Sequence, residues 1–354
     1  MLVGKIMFPK VSIIILNWNG WKDTIECLES LYQIDYPSYD IIVVDNASKD
    51  ESIQKIKEYA NGDIKVKSKY FTYNPENKPI KIIDYTNKNL DLGNQFFRKY
   101  LFLPSNRKLI LIKNDQNYGF AEGNNIAVRY ALKTLNSQYI IFLNNDTVVE
   151  KQFVTEMVKY AEKNEKIGIV GSKIYYYDSE REKNVIWFAG GSINKWSGKT
   201  SHEGRNKVDS NIYNYIKECD FITGCSLLIK CKLLDQLEGF DQTYFAYYED
   251  ADLSTRAKKI GWKNIYVPTS KVWHKVSRST SKNGESSPTS VYYMTRNRII
   301  FTKKHNSKKI LYLLCYMAIY RHAACLVKYF ILKRNTKLMK SFYKGLIDGL
   351  TFKD

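Results

Sequence analysis

The chain has few of the residues that mark disulfide-rich or zinc-binding proteins. Its 354 residues include only 6 Cys and 4 His, and no two cysteines form a C-x-x-C pair or follow zinc-ligand spacing. The opening MLVGKIMFPK is too short and too interrupted for a secretory signal. We therefore expect reduced thiols in a reducing compartment, and the composition excludes a disulfide scaffold and a structural zinc module.

Acidic residues are scarce in the last quarter of the chain. From Lys271 to Asp354 there are 18 Lys and Arg against 3 Asp and Glu, so this part carries +15 of the formal net charge of +19. The first 270 residues are close to electrically balanced. A basic segment of this kind can face nucleic acid, an anionic membrane or only solvent.

The chain also lacks a long apolar run free of charges. Residues 310–332 are long enough to cross a bilayer, but Arg321, His322 and Lys328 interrupt them. Basic residues beside Phe, Tyr and Leu favour a helix that lies in the membrane interface, with a helix packed on the rest of the protein as the alternative. The basic residues alternate with apolar stretches and form no nucleic-acid reading motif, which disfavours a nucleic-acid partner.

Short apolar runs alternate with segments of helical spacing through the first 270 residues. This order predicts an α/β fold with parallel strands and right-handed crossovers. The predicted strands are 11–16, 40–44, 80–83, 109–113, 139–143, 168–171 and 265–267. The predicted helices are 22–33, one after a capping box of Ser48 and Glu51, one up to Leu135, 152–163 and one up to Ile260. Residues 61–107 are polar and contain three prolines, and we interpret them as an insertion with little regular structure.

One strand ends in a polar cluster, in the stretch YIIFLNNDT at 139–147. Because strand residues two apart point the same way, Asn144 and Asp146 should project together. They would do so at the carboxyl end of the strand, where open α/β sheets bind ligands. A carboxylate and an amide oxygen suit a divalent cation that also binds phosphate oxygens. A polar turn after a core strand is the alternative.

Six short motifs occur in a fixed order along the chain. Each motif alone is a weak signal, but their order is specific. They are Asn17-Trp18-Asn19 after the first strand, VVDNAS at 43–48, NYGFAEGNN at 117–125, FLNNDT at 142–147, GFDQTYFAYYEDADLSTRAKKIGW at 239–262 and WH at 273–274. Together they resemble the inverting family 2 glycosyltransferases, most of all the rhamnosyltransferase-type branch, over residues 11–300. The resemblance implies a GT-A fold, which is a Rossmann-like, mostly parallel sheet flanked by helices. It also implies a nucleoside-diphosphate sugar donor and Mg²⁺ or Mn²⁺.

The resemblance assigns a set of residues to the nucleotide sugar: Asn17, Trp18, Asp45, Asn117, Gly119, Gly123, Asn124 and Asn144. Asp45 can accept a hydrogen bond from a base N–H or a ribose hydroxyl, or else cap the following helix. Trp18 can line the base pocket or pack in the core. The two glycines can let the backbone approach a ligand at a helix start, or simply form a turn.

The resemblance also assigns the metal and the chemistry. Asp146 matches the last acid of the family's DxD motif, while Asn144 stands where many members have Asp. Either the metal affinity should be weaker, or the metal should depend more on the diphosphate. His274 matches a histidine ligand of several relatives, with a buried structural histidine as the alternative. Asp250 is the favoured general base and Glu249 the second choice. Asp252, four residues before Arg256, predicts an ion pair.

These motifs predict a catalytic domain over 1–275, with the insertion at 61–107, and a basic helical region over 276–354. The predicted enzyme is a metal-dependent, inverting hexosyltransferase that moves a sugar, with rhamnose the best guess, to a glycan hydroxyl. The acceptor should be lipid-linked and used in cell-surface polysaccharide or glycoconjugate synthesis. The enzyme should be peripheral on the inner, cytoplasmic face of an anionic membrane.

Three other functions compete with this one. A sugar-phosphate nucleotidyltransferase is disfavoured because G-x-G-x-R is absent near the first strand. A processive synthase is disfavoured because Arg296-Asn297-Arg298 stands where Q-x-x-R-W would be expected. An inactive sugar-nucleotide or membrane-binding module is the third alternative.

Overall fold

The computed structural model describes residues 8–86, 100, 102–178, 184–276, 287–306 and 335–353. Its strands are β1 (Val11–Asn17), β2 (Tyr39–Asp45), β3 (Lys81–Thr86), β4 (Lys108–Lys113), β5 (Tyr139–Asn144), β6 (Thr147–Val149), β7 (Ile167–Tyr176), β8 (Ile186–Phe188), β9 (Gly191–Ile193), β10 (Thr200–His202), β11 (Lys217–Glu218), β12 (Ser226–Lys230) and β13 (Lys263–His274). Its helices are α1 (Trp21–Leu31), α2 (Ser52–Asn61), α3 (Gly119–Tyr130), α4 (Phe153–Ala161), α5 (Cys231–Gln236), α6 (Glu249–Lys259), α7 (Pro288–Asn306) and α8 (Thr336–Thr351).

One mixed sheet of eleven strands organises the described residues. Its order is β11-β13-β7-β12-β5-β1-β2-β4-β3, with β6 joined to β13 and β8 to β7. The five strands from β5 to β3 run parallel, and β12 runs antiparallel between β5 and β7. The carboxyl ends of β1, β2 and β5 therefore lie side by side at one edge.

The central strands are covered on both faces, as their continuous apolar runs predicted. Ile13, Ile14 and Ile15 of β1 have no exposed surface. Strands buried on both faces have apolar residues at consecutive positions instead of alternating ones. Every strand predicted from the sequence is present, and the predicted α/β class is confirmed.

The predicted capping box of α2 is wrong. The helix begins at Ser52, and its N-cap Glu51 makes no side-chain cap hydrogen bond. Ser48 lies in the turn after β2, where its hydroxyl donates to Asp45 Oδ1 at 2.6 Å. The Ser52 N–H is bound by Asp50 Oδ1 at 3.0 Å. The helix starts later than the pattern implied because Ser48 is held by the strand end.

The insertion adds an edge strand. Residues 81–86 form β3, parallel to β4 and longer than the strand predicted at 80–83. Residues 62–80 contain no helix or strand. The remainder of the insertion up to 107 includes 87–99 and 101, which lie outside the described residues.

The basic C-terminal region is packed on the rest of the protein through α7. Ile300 and Phe301 of α7 belong to the main hydrophobic core. The helix α8 packs on α7 in a small separate cluster with Val291, Ile299, Leu338 and Phe342. The predicted helix at 310–332 lies outside the described residues. Within the part of the chain that the structure describes, no helix is both long and apolar enough to cross a bilayer.

The described cysteines behave as the composition predicted. Cys27, Cys219, Cys225 and Cys231 are all buried and free. Burial raises the pKa of the Cys27 thiol to about 12, because the charged thiolate is poorly solvated there. Burial raises the pKa of the Cys219, Cys225 and Cys231 thiols as well, so the protonated form is favoured at each.

Candidate active site

The acid of the polar cluster lies in a turn, beyond the end of its strand. Strand β5 ends at Asn144, and Asp146 lies in the turn between β5 and β6. Strand alternation therefore does not place the Asp146 side chain, and the premise used to pair it with Asn144 was wrong. The turn buries Asp146 to 8% exposure and leaves Asn144 partly exposed.

Asp146 and His274 form a buried pair. His274 Nε2 lies 3.1 Å from Asp146 Oδ1. Two backbone contacts hold the two residues in place: β13 pairs His274 with Thr147, and the Lys275 N–H donates to the Asp146 carbonyl at 3.0 Å. The predicted assignment of these two distant residues to one place thus agrees with the geometry.

The charges of this pair support each other. Burial alone would raise the pKa of Asp146, but His274 and Lys275 bring it below its usual value. Burial alone would lower the pKa of His274, but Asp146 and Cys225 raise it well above its usual value. The two shifts favour an ionised carboxylate at Asp146 beside a protonated imidazole at His274.

A divalent cation fits the donor atoms of this pair, provided that other ligands complete its shell. The 3.1 Å contact is a hydrogen bond between the two side chains, so His274 Nε2 would have to release its proton to bind a cation beside the Asp146 carboxylate. Carboxylate oxygen and imidazole nitrogen together suit Mn²⁺ or Mg²⁺. Among the described residues no group of three or more His, Cys, Asp or Glu could hold a metal. The remaining ligands would have to be diphosphate oxygens and water.

The two predicted catalytic acids open helix α6. Asp250 Oδ2 accepts a hydrogen bond from the Gly224 N–H at 2.9 Å, and Oδ1 accepts one from the Ala251 N–H at 2.7 Å. Asp250 is partly exposed, whereas Glu249 is buried at 6% exposure. Asp250 is therefore the more exposed of the two acids.

Both carboxyl groups have raised pKa values. Burial raises the pKa of Asp250, although hydrogen bonds from the backbone of Gly224 and Ala251 oppose the shift. Burial, followed by the nearby Asp250, raises the pKa of Glu249 well above its usual value. A raised pKa makes the Asp250 carboxylate a stronger base than a carboxylate in water.

The segment Thr223–Cys225 connects Asp250 to the Asp146–His274 pair, and no sequence pattern marked it as functional. The Cys225 thiol lies beside His274, where burial raises its pKa and the imidazole opposes that shift. The Cys225 carbonyl accepts from the Asn144 N–H at 3.0 Å. The next residue back, Gly224, binds Asp250. Asp146, His274 and Asp250 therefore surround one short segment.

Hydrogen bonds also connect Asp45 to the Asp146 turn. Asp45 Oδ1 accepts from Asn17 Nδ2 at 2.7 Å, and Asn17 Oδ1 accepts from the Thr24 hydroxyl at 2.8 Å. The amide of Asn145 donates to the same hydroxyl at 3.0 Å. Asp45 is 1% exposed and Asn17 is fully buried. Both side chains are thus engaged within the protein at the shared edge of the sheet.

Trp18 projects from this network toward solvent. Half of its surface is exposed, so the core-packing alternative considered for it was wrong. An exposed indole at the carboxyl edge of a parallel sheet provides an aromatic face for a ring ligand.

Protein atoms fill the space beside both candidate glycines. A Cβ on Gly119, whose φ is +75°, would lie 2.5 Å from the Phe245 carbonyl oxygen. A Cβ on Gly123 would lie 2.8 Å from Leu16 Cδ1. These glycines therefore make room for Phe245 and Leu16.

The asparagines of the same motif also bind protein groups. Asn117 Oδ1 accepts from the Gly119 N–H at 2.8 Å, and Asn124 Nδ2 donates to the Phe120 carbonyl at 2.8 Å. Asn125, which the sequence did not single out, donates to and accepts from the backbone of Phe240. This motif anchors the loop that precedes α6.

The predicted ion pair of α6 is present. Asp252 Oδ2 binds Arg256 Nε at 2.7 Å, and Asp252 Oδ1 lies 2.6 Å from His305 Nε2. His305 belongs to α7, so the pair also joins α6 to the C-terminal region. Asp252 is 1% exposed, and its role is to hold these helices together.

Comparison with known proteins gives two rhamnosyltransferases among the relatives. The chain is 39% identical over 66 residues to the N-acetylglucosaminyl-diphospho-decaprenol L-rhamnosyltransferase of Mycobacterium tuberculosis, covering 19% of this chain and 22% of that protein. It is 28% identical over 166 residues to the rhamnosyltransferase WbbL of Escherichia coli K12, covering 43% of this chain and 58% of that protein. The chain thus spans between about a fifth and three fifths of the length of these relatives.

Solved structures share the fold at low sequence identity. A mannosyltransferase from Pyrobaculum calidifontis, in complex with GDP-Man and Mn²⁺, superposes with a TM-score of 0.55 at 15% identity, covering 99% of this chain and 89% of that one. Staphylococcus aureus TarS 1–349 in complex with UDP-GlcNAc superposes with a TM-score of 0.53 at 15% identity, covering 96% and 80%. The predicted GT-A fold is confirmed.

The family model described as glycosyl transferase family 2 matches residues 12–78 and 94–236, which is more than half of the chain. The match includes the ends of β1, β2 and β5, where Asp45 and Asp146 lie. The chain belongs to glycosyl transferase family 2, and its relatives include rhamnosyltransferases.

Proposed function

We propose that this protein is an inverting, metal-dependent glycosyltransferase that moves a hexose from a nucleoside-diphosphate sugar to a hydroxyl of a glycan. Rhamnose is the favoured sugar because two of the relatives bear that activity in their names. The observation that carries the proposal is the position of Asp146, His274 and Asp250 around the segment Thr223–Cys225. The pair can face a diphosphate while Asp250 faces the acceptor.

In the proposed reaction, Asp250 acts as the general base. The acceptor oxygen bonds to the anomeric carbon while the bond from that carbon to the diphosphate breaks, and the hydroxyl proton passes to the Asp250 carboxylate. Attack from the face opposite the diphosphate inverts the configuration. Hydrogen bonds from Gly224 and Ala251 hold the carboxylate in place for this transfer. No covalent bond to the protein is required.

Asp146 and His274 are the proposed metal ligands. A divalent cation, Mg²⁺ or Mn²⁺, would neutralise charge on the departing nucleoside diphosphate when bound there. The Pyrobaculum mannosyltransferase was solved with Mn²⁺ and a nucleotide sugar, which supports the use of a divalent cation here. Asn144 contributes no charge, so diphosphate oxygens would have to contribute a larger share of the free energy of metal binding.

The proposed donor pocket lies beside Trp18 and Asp45. The half-exposed indole of Trp18 can stack on the nucleobase. Asp45 and Asn17 hold the strand ends beneath it through their mutual hydrogen bond of 2.7 Å. Asn117, Gly119, Gly123 and Asn124 would contribute by fixing the start of α3 against β1 and the loop that precedes α6, because their polar atoms and open sides are occupied by protein.

A lipid-linked acceptor at a membrane surface is the proposed setting. The name of the mycobacterial relative contains such an acceptor, a diphospho-decaprenol carrying N-acetylglucosamine. In this chain α8 exposes Lys337, Lys340 and Lys344 together with Ile347 and Leu350. Each Lys near anionic headgroups contributes about 1 kcal/mol, and apolar side chains add to the attachment. We therefore place the enzyme on the cytoplasmic face of the membrane, in synthesis of a cell-surface glycan.

A screen of nucleotide sugars with Mn²⁺ tests the proposal. Ligands that bind only the folded state raise its melting temperature, so dTDP-rhamnose should stabilise the protein more than GDP-mannose or UDP-GlcNAc does. The stabilising donor is then incubated with a synthetic N-acetylglucosaminyl-diphospho-lipid, and the product is identified by mass spectrometry. Stabilisation without any transfer or donor hydrolysis would favour an inactive binding module. Release of pyrophosphate from a nucleoside triphosphate and a sugar phosphate would favour a nucleotidyltransferase.

A further inference from the structure

The residues before the candidate base have an unusual backbone conformation. Tyr247 has a φ of +68° and Tyr248 a φ of +74°, directly before Glu249 and Asp250. A residue with a β-carbon is strained in this left-handed region, because its side chain crowds the backbone. Two such residues in a row persist only where the surrounding structure holds them. The start of α6 is therefore held by contacts outside its own sequence.

One face of α7 contacts this turn residue by residue. The ring of Tyr293 stacks on that of Phe245, with centroids 5.2 Å apart and planes 13° apart. One helical turn later, Asn297 contacts the next part of the chain, and Phe301 packs against Tyr248 at 5.5 Å. Residues four apart lie on the same side of a helix. Helix α7 thus contacts the turn at each residue from Phe245 to Tyr248.

Asn297 makes the central contact. Its Nδ2 donates to the carbonyl oxygens of both Ala246 and Tyr247, each at 2.8 Å. Its Oδ1 accepts from Arg296 Nη1 at 2.7 Å, and the same Nη1 donates to the Thr243 carbonyl at 3.0 Å. Asn297 has no exposed surface. The amide is therefore fixed and satisfies the carbonyls of Ala246 and Tyr247.

The turn is also held from its other side. The Phe120 N–H at the start of α3 donates to the Phe245 carbonyl at 2.6 Å. The Tyr248 hydroxyl donates to the Gly198 carbonyl at 2.9 Å. Between these contacts, Asn297 secures the middle of the turn with its two donated bonds.

We propose that Asn297 is a positioning residue for the base Asp250. Its amide holds the left-handed turn, so that α6 begins at Glu249 and the Asp250 carboxylate meets the Gly224 N–H. Asn297 acts through the backbone and touches no reacting group. This inference rests on the proposed function for its catalytic consequence, whereas its structural part stands on the contacts of the turn. It gives the basic C-terminal region, through α7, an indirect part in the reaction.

The first test compares transfer by Asn297→Ala and Asn297→Asp with the unaltered protein. Asp keeps the size of the side chain but has no N–H to donate at neutral pH. The probes are dTDP-rhamnose, Mn²⁺ and a synthetic N-acetylglucosaminyl-diphospho-lipid. We expect kcat to fall about 10- to 100-fold in both variants, because small displacements of a catalytic group are costly. The dissociation constant for dTDP-rhamnose should stay within about 2-fold, since Asn297 contacts no donor group.

A matched control separates this effect from general damage to α7. Met294 lies on the same helix and is 43% exposed, so Met294→Ala should keep kcat. If Asn297→Ala is not recovered folded, Asn297→Ser retains one hydroxyl donor and should show a smaller loss of kcat. A folded Asn297→Ala protein with unchanged kcat overturns the proposal. So does a variant that loses donor affinity as much as kcat.

A second variant tests the link to backbone strain. Glycine adopts a positive φ without crowding. Tyr247→Gly therefore removes part of the backbone strain that the bonds from Asn297 offset. The factor by which Asn297→Ala lowers kcat should be at least about 3-fold smaller in the Tyr247→Gly protein than in the protein with Tyr247. Equal factors in the two backgrounds would refute the strain argument.

Hydrogen exchange tests the positioning without any need for activity. Peptides covering 245–252 should exchange faster in Asn297→Ala than in Met294→Ala, while peptides of β1 exchange equally in both. If the unaltered protein transfers no sugar, the proposed function fails, and this measurement still decides the role of Asn297. Unchanged protection of 245–252 in Asn297→Ala overturns the positioning role.

Discussion

His274 Nε2 lies 3.1 Å from Asp146 Oδ1, although the two residues come from distant parts of the sequence. The antiparallel pairing of β6 with β13 brings His274 opposite Thr147 and so beside the Asp146 turn. This pairing brings together the two side chains that we propose as ligands of a cation, at the same sheet edge as Asp45 and Trp18.

Replacing either member of the pair should weaken metal activation. His274→Ala and Asp146→Ala should each raise the Mn²⁺ concentration for half-maximal transfer about 10- to 100-fold or more, because each removes one protein ligand. The measurement is the transfer rate against Mn²⁺ concentration after removal of bound metal with EDTA. His202→Ala is the control, since His202 contacts Trp187 and Phe188 instead of a carboxylate. Full activity of the EDTA-treated protein would contradict the role of a metal.

Glu249→Gln should raise stability at neutral pH. An unfolded Glu has a pKa of about 4, while burial and Asp250 raise the pKa of Glu249 well above it in the fold. Between these two values the folded chain binds more protons than the unfolded chain, so the free energy of unfolding falls as pH rises. The neutral amide removes that loss, and each 1 kcal/mol regained corresponds to roughly 2–4 °C in melting temperature.

The check is a set of melting curves from pH 4 to pH 8. The gain of Glu249→Gln over the unaltered protein should be largest at pH 8 and vanish near pH 4. Glu76→Gln, at an exposed position, should show no such trend. A constant difference at all pH values would show that packing, and not ionisation, causes the effect.

Gly119→Ala should be strongly destabilising. The new Cβ would lie 2.5 Å from both the Phe245 ring and its carbonyl oxygen, at a φ of +75°. We expect a loss of about 2–4 kcal/mol in the free energy of unfolding, from the left-handed backbone and the clash together. Denaturant unfolding measures it.

Gly261→Ala isolates the backbone part of that loss. Gly261 has a φ of +88°, and nothing lies within 4 Å of its added Cβ. Its alanine variant should lose only about 1 kcal/mol. If both variants lose the same amount, Phe245 can move aside and Gly119 is not required for close packing.

Membrane binding should depend on salt and on α8. The protein should float with vesicles that contain anionic phosphatidylglycerol at low salt and bind less at high salt, because salt screens surface charges. Replacing Lys337, Lys340 and Lys344 by Gln should weaken the partition about 10-fold or more. The control is a variant with Lys65 and Lys67, which lie far from α8 in the sequence, replaced by Gln. It loses two positive charges and is compared with the variant that replaces only Lys337 and Lys340. A protein that stays with the soluble fraction at low salt would count against the membrane proposal.

The sequence predicted the scaffold well because its signals are local. Apolar runs such as Val11–Leu16 mark buried strands, and the polar residues after them mark the carboxyl edge of the sheet. The pairing of Asp146 with His274 was predicted through a family resemblance, since no spacing rule relates these positions. The fold class and the family therefore followed from patterns of a few residues in a fixed order.

The remaining features depend on contacts that no local pattern contains. The capping box was wrong because Asp45, at the end of β2, binds Ser48. The space beside Gly119 is filled by Phe245, which tertiary packing alone brings there. The bonds from Asn297 to the turn before α6 are of the same kind. In each of these cases the neighbour that decides the outcome is placed by the fold.

The role of Asp250 as the base is the central claim, and Asp250→Asn tests it most directly. The measurement pairs kcat for transfer from dTDP-rhamnose to a synthetic N-acetylglucosaminyl-diphospho-lipid with the donor dissociation constant from calorimetry. Loss of the proton acceptor should lower kcat about 100- to 10,000-fold while donor binding changes by less than about 2-fold. Substantial transfer by Asp250→Asn, together with its loss in Glu249→Gln, would contradict the account and assign the base to Glu249.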